Sequence, residues 1–404
     1  VYTTRFKALF DAPLAHDIDQ RPGHSSLYIP AYEHYRDNDY LPIIRPQRAT
    51  NQAWSMRAFL NPVTFPEPAE GGGRGYTNSV LPAGGYTVLR DGSEETGLRA
   101  VQMNWGSPAH RGGHVLLDHL LRWKGHSLNA RVARIGYGYE QSGFSYTAAA
   151  GNSLIVDGKR QSMLRADQEA IVHDPAPAAR WTSPVDRPLY AGVGWSRTAA
   201  ICGDTFVVVD QIRSQQKHRY ELLTYLPGNI AQGSSSDPAW TEAPVMKEQS
   251  DGFHYFRNPQ MTADALGVLS YRLDKKDETV LGRLEAAGPT ARWYRAEAPI
   301  QWHPRYVPVL VRQSTPDDGK WCAVHTFSGV RADANTDVDV DIMQVSRDGQ
   351  AVPSTHAVAL RVDNASGSYC VLTAADAAEY NVGARTMQGP LTIRADRAAQ
   401  EKGD

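Results

Sequence analysis

Hydrophobic and polar positions divide the chain into two regimes. In "SSLYIPAYEHYRDNDYLPII", Tyr28, Ala31, Tyr32 and Tyr35 fall at helical spacing, Ser25 and Ser26 can cap the start, and Pro42 ends the pattern. Residues 1–64 therefore read as helical, and an aromatic stripe at this spacing packs a core more often than it lines a ligand site. Residues 65–78, "FPEPAEGGGRGYTN", are rich in Gly, Pro and Glu and read as a linker. Beyond them the period changes. "YTVLRDGSEETGLRAVQMNW" gives two β-runs around an Asp91-Gly92 turn. "NSLIVDGKRQ", "DTFVVVDQIRS", "YELLTYLPG", "ALGVLSYRL", "VPVLVRQS" and "KWCAVHTFSG" are further short apolar or alternating runs. So many short strands bounded by turn residues predict a mainly β protein with a large antiparallel β-sandwich over 79–310. "STPDDGK" predicts a turn before a C-terminal β segment, 311–404, whose tail "RADRAAQEKGD" reads as frayed or a short helix.

Composition narrows the function. The formal charge of -2 over 404 residues supplies no global field for a nucleic acid. No apolar run reaches the roughly 18 residues of a membrane span. Three cysteines are too few for a disulfide framework. "GGGRGYTN" lacks the Lys-Ser/Thr of a phosphate loop. The opening "VYTTRFKALFDAPLAHD" has no signal-peptide pattern and reads as the interior of a longer protein.

The densest chemistry lies in "AHRGGHVLLDHLLRWKGHSL", which holds His110, His114, His119 and His126, four of thirteen histidines. A zinc site on a helix would suit the i, i+4 spacing, but Gly112 and Gly113 disfavour a helix there. The alternatives are an acid/base site or a buried segment that carries imidazoles. If the segment is a strand, His114, Leu116, Asp118, Leu120 and Arg122 share one face. His119 and His126 read as structural. "IGYGYEQSGFSY" follows, with Tyr137, Tyr139 and Tyr146 on a glycine-rich loop that could present phenols or simply pack. Arg111, Arg122, Lys124, Arg131 and Arg134 add local positive charge, most of it expected on a solvated face.

Together, "LPAGGYTVLRDG", "AVQMNWGSPAHRGGHVLLDHL" and "ARIGYGYEQSGFSYTAAAGNSLIVDGKRQ" resemble the β-domain of heparinase II/III-like polysaccharide lyases, which include related alginate lyases. The likeness is sharp over roughly Leu81 to Gln161. It implies that residues 1–64 are the end of an α/α toroid, with an upstream toroid segment on the same precursor or another chain. It implies a periplasmic or secreted enzyme that cuts acidic, uronate-containing polysaccharides by β-elimination. His114 matches the family's catalytic histidine and Tyr137 its active-site tyrosine, with Tyr139 as fallback. His110, Arg111, Arg134 and Tyr146 would bind substrate, and Asn152 would keep a structural asparagine. The family's zinc ligands fall at Leu116, Arg134 and Gly151, none of which is a ligand, so neither a metal nor another cofactor is expected. Two rivals share this architecture: a non-catalytic polysaccharide-binding protein, and a uronate epimerase that returns the same proton to the other face.

Overall fold

The run "TFVVVDQIRS" is apolar at both parities, so a strand made from it must be covered on both sides. The computed structural model describes residues 78–396 apart from 83–84, 93–96, 107–114, 131, 133–134, 137, 163, 184–185, 231–238, 263–267, 276–277, 288–290, 301–304 and 332–337. In it the run forms the strand Thr205–Ser214, buried throughout except at Arg213. Phe206, Val208 and Ile212 enter one apolar core; Val207 and Val209 enter another.

That strand lies within a seven-stranded sheet, between Val193–Cys202 and Lys320–Arg331. A six-stranded sheet, which includes Leu154–Val156, Tyr220–Tyr225, Arg292–Ile300 and Arg305–Ser314, shares the larger core with it. A five-stranded sheet runs from Ser79–Leu81 to His126–Ser127 and packs Leu89, Val101, Met103 and Leu121 into the same core. Two four-stranded sheets of residues 339–396 stack behind the seven-stranded one. The strand pairs are antiparallel, as the β-sandwich pattern predicts.

The chain divides into two compact units, Val1–Gly75 and Tyr76–Asp404. The expected helical region 1–64 lies outside the described residues. The boundary expected after residue 310 falls inside the strand Arg305–Ser314, and the next strand, Lys320–Arg331, completes the seven-stranded sheet. The separate layers begin only at Asp339. The first three residues of the tail expected to be frayed or a short helix are corrected, because Arg394, Ala395 and Asp396 pair with Tyr369 and its neighbours in the strand Leu391–Asp396, while 397–404 lie outside the described residues. None of the three cysteines is in a disulfide, and all are buried.

Candidate functional site

Among the described residues of the segment singled out in the sequence, the short strand His126–Ser127 follows a longer one, Asp118–Trp123. Immediately before the longer strand Leu117 sits at φ 54°, the left-handed region that a branched side chain disfavours. Neighbouring bonds hold the strained turn. Leu117 N–H donates to Asn104 O at 2.7 Å, and Leu116 N–H donates to Gln161 Oε1 at 2.6 Å. Ser153 Oγ donates to Leu116 O at 2.7 Å. Because of this turn, Leu116 does not share the strand face expected for it. Its side chain and that of Leu117 are fully buried in the main core.

Asp118 and the loop Gly151–Ser153 form a corner beyond the turn. Asn152 N–H donates to Asp118 Oδ1 at 2.7 Å. A Cβ on Gly151 would lie 3.1 Å from both Asp118 Oδ1 and Val115 Cγ1, so the close approach favours glycine. Asn152 is fully buried. Its Nδ2 donates to Ala130 O at 2.9 Å and His119 O at 3.2 Å, and its Oδ1 accepts Tyr225 N–H at 2.8 Å. The asparagine thus ties three strands and a loop together, the structural role expected of it. Neither the apolar Leu116 nor Gly151 offers a donor atom, so these positions do not fit a three-ligand zinc shell. Among the described residues no group of three or more His, Cys, Asp or Glu converges.

Behind the corner lies a buried charge network. Arg197 donates to Asp210 through Nε at 2.8 Å and through a second nitrogen at 3.0 Å. It also donates to Asn152 O at 2.7 Å, to Leu117 O, and to His119 Nδ1 at 3.2 Å. Burial first, and the Arg197 charge second, hold the His119 imidazole well below its ordinary pKa. A neutral, enclosed His119 is structural, as the sequence suggested. His325 is lowered likewise by burial and then by Arg312. The sequence reading missed Arg197 and Asp210, although a signal existed. Each lies five residues from the turn ends Cys202 and Thr205, so antiparallel pairing sets them opposite one another. Arg122, expected on a solvated face, is buried, while Lys124 Nζ meets Asp204 at 3.0 Å.

The tyrosine loop is a short 3₁₀ helix, Glu140–Tyr146. Phe144 is fully buried and packs edge-on against Tyr255 at 5.6 Å. This anchor leaves Tyr139 37% exposed and Tyr146 half-buried. Thr147 and Ala148 fasten the far end, the latter donating to Asp251 Oδ2 at 2.9 Å, which also accepts Arg160 Nε at 2.6 Å. The exposed His254 ring lies tilted against Tyr255 with ring centroids 4.1 Å apart, beside this helix. Sequence reading did not bring that histidine here; the aromatic cluster "GFHYF" was its signal. His110, Arg111, His114, Arg134 and Tyr137 lie outside the described residues.

Comparison with known proteins now bears on this arrangement. No protein-family model matches the chain, and no curated protein does. Solved structures do. The heparan sulfate lyase HepC from Pedobacter heparinus superposes with a TM-score of 0.58 at 10% identity, over 87% of this chain and 48% of that one. A heparinase III gene product gives 0.55 at 12% identity, over 86% and 48%. The fold is shared with heparinase III. At such identity the heparinase-like likeness establishes architecture alone, and the chain spans about half the length of those lyases.

Proposed function

We propose that the protein is a polysaccharide lyase that cleaves an acidic, uronate-containing polysaccharide by β-elimination. The observation that carries this reading is the shared heparinase III fold, together with the sequence motif around His114. In the reaction a base removes the C5 proton, its electron pair forms the C4=C5 double bond, the C4–O bond breaks, and an acid protonates the leaving oxygen. Positive or hydrogen-bonding groups must hold the carboxylate while charge builds on it. We assign proton transfer to His114 and Tyr137, with Tyr139 as the alternative phenol, and carboxylate or sulfate binding to His110, Arg111, Arg134 and Tyr146. Of the two described residues in this set, Tyr139 and Tyr146, Tyr139 has the greater exposure, which suits contact with a polymer.

Residues 1–64 would be the end of an α/α toroid and 65–78 the linker to the sandwich, in a periplasmic or secreted protein. The test is absorbance of the unsaturated uronate product on mixing the protein with heparan sulfate, other glycosaminoglycans and alginate. Product formation that is lost in a folded His114→Ala protein is the expected result; wild-type rates in that protein would remove the assignment. The lack of donor atoms at Leu116 and Gly151 favours the second reading, a non-catalytic polysaccharide-binding protein. Binding without any unsaturated product across the panel would establish that one.

A further inference from the structure

A cavity of about 670 Å³ opens at the other end of the sandwich from Asn152. The strand Tyr220–Tyr225 gives the separation: Asn152 binds the Tyr225 backbone, whereas the Tyr220 hydroxyl donates to Gly319 O at 2.8 Å, beside the cavity residue Lys320. Five residue steps along a strand span roughly 16 Å. Pro188 and Ala191 supply apolar wall, and Arg213, Gln215, Gln216 and Lys320 supply polar groups.

Arg213 and Lys320 are directly opposite in the antiparallel register of their two strands, and both are exposed. Like charges at such a position repel and lower stability. Two other cations of this surface do meet a carboxylate: Lys217 meets Asp317 at 2.6 Å and Arg187 meets Asp167 at 3.3 Å. No described carboxylate forms an ion pair with Arg213 or Lys320. Across the cavity the turn at Gly192 has φ 73°, with open space where a side chain would project. A fold that tolerates facing cations over an open, partly apolar hollow is arranged for an anion carried on a body with an apolar face.

We propose that this cavity is a second saccharide site that grips a carboxylate or sulfate group between Arg213 and Lys320. The pyranose ring would lie on Pro188 and Ala191, and Gln215 and Gln216 would reach its hydroxyls. The choice of an acidic saccharide among anions rests on the lyase reading; the cation pair does not. Such a site would hold a polymer away from the reacting end and raise its residence on the protein.

The experiment is site-resolved acetylation of the native protein, read by mass spectrometry, with a sulfated uronate tetrasaccharide, inorganic sulfate or no addition. The tetrasaccharide should slow acetylation of Lys320 about fivefold or more while leaving Lys217 nearly unchanged. Arg213→Gln should abolish that protection. In the absence of ligand Arg213→Gln should raise Tm by about 1 °C through relief of repulsion. The His114→Ala protein should show the wild-type protection, so a failed lyase assignment and a failed site give different results. Unprotected Lys320 at saturating tetrasaccharide would overturn the proposal. Equal protection by inorganic sulfate at the same sulfate concentration would reduce the site to a simple anion site and overturn the saccharide assignment.

Discussion

Asn152 contacts five other residues: Asp118, His119, Ala130, Arg197 and Tyr225. Truncating it would leave the Tyr225 N–H and at least one carbonyl buried without partners. Asn152→Ala should therefore cost about 3 kcal/mol, since each orphaned buried group costs about 1–3 kcal/mol. Urea unfolding measures this, and a loss under 1 kcal/mol would show that the loop relaxes around the gap. Arg197 and Asp210 behave differently because both are charged. Arg197→Met alone strands a buried carboxylate and should cost about 3–5 kcal/mol, whereas Arg197→Met with Asp210→Leu should recover much of that. A double variant as unstable as the single one would mean that the remaining bonds of Arg197, to Leu117 O and Asn152 O, matter more than its charge.

The 3₁₀ helix Glu140–Tyr146 separates anchoring from exposure within a few residues. Phe144→Ala should lose about 3–5 kcal/mol through the cavity it leaves. Tyr139→Phe should leave Tm unchanged, because the hydroxyl belongs to a partly exposed side chain. If turnover falls in a fully folded Tyr139→Phe protein, the phenol takes part in proton transfer; unchanged turnover returns that role to Tyr137. At this scale the sequence was partly legible. Glycines around the tyrosines correctly marked an irregular, surface-directed segment, but Phe144 as its anchor was not visible, since Tyr255 and Phe256 come from more than a hundred residues away. The strand at Asp118 was legible only through the family resemblance, since its period alone allows a helix equally. Its late start was not, because nothing local announces a leucine at positive φ; tertiary bonds from Asn104, Gln161 and Arg197 impose it.

For the molecule as a whole, acid should act through its buried histidines. His119 and His325 have folded pKa values held well below 6.5, chiefly by burial. Both states are neutral above the unfolded value near 6.5, so the two histidines impose no penalty there. As pH falls below it, the unfolded chain binds protons that the folded one refuses. Stability then drops by up to about 1.4 kcal/mol per pH unit for each histidine. Asp157, Asp204 and Asp251, lowered by hydrogen bonds and nearby cations despite their burial, act in the same direction only below about pH 4. Urea midpoints at pH 7.5 and 5.5 should therefore fall steeply in the wild type and less in His119→Gln/His325→Gln; parallel losses would assign the acid sensitivity elsewhere. The β class was legible because period-two and continuous apolar runs survive in sequence. The sheet boundaries were not, because Lys320–Arg331 joins Thr205–Ser214 across a long insertion that carries most of another sheet.

That pairing also sets a schedule for biosynthesis. Asp210 finds its neighbour at Ala323, so 113 further residues must be made after Asp210 before the two can pair. At about 5–20 residues per second, the apolar strand Thr205–Ser214 has one edge open for roughly 6–23 s after it is translated. During that interval it is a hydrophobic template with free backbone donors and acceptors, and a chaperone or a neighbouring nascent chain can occupy it before its own partner emerges.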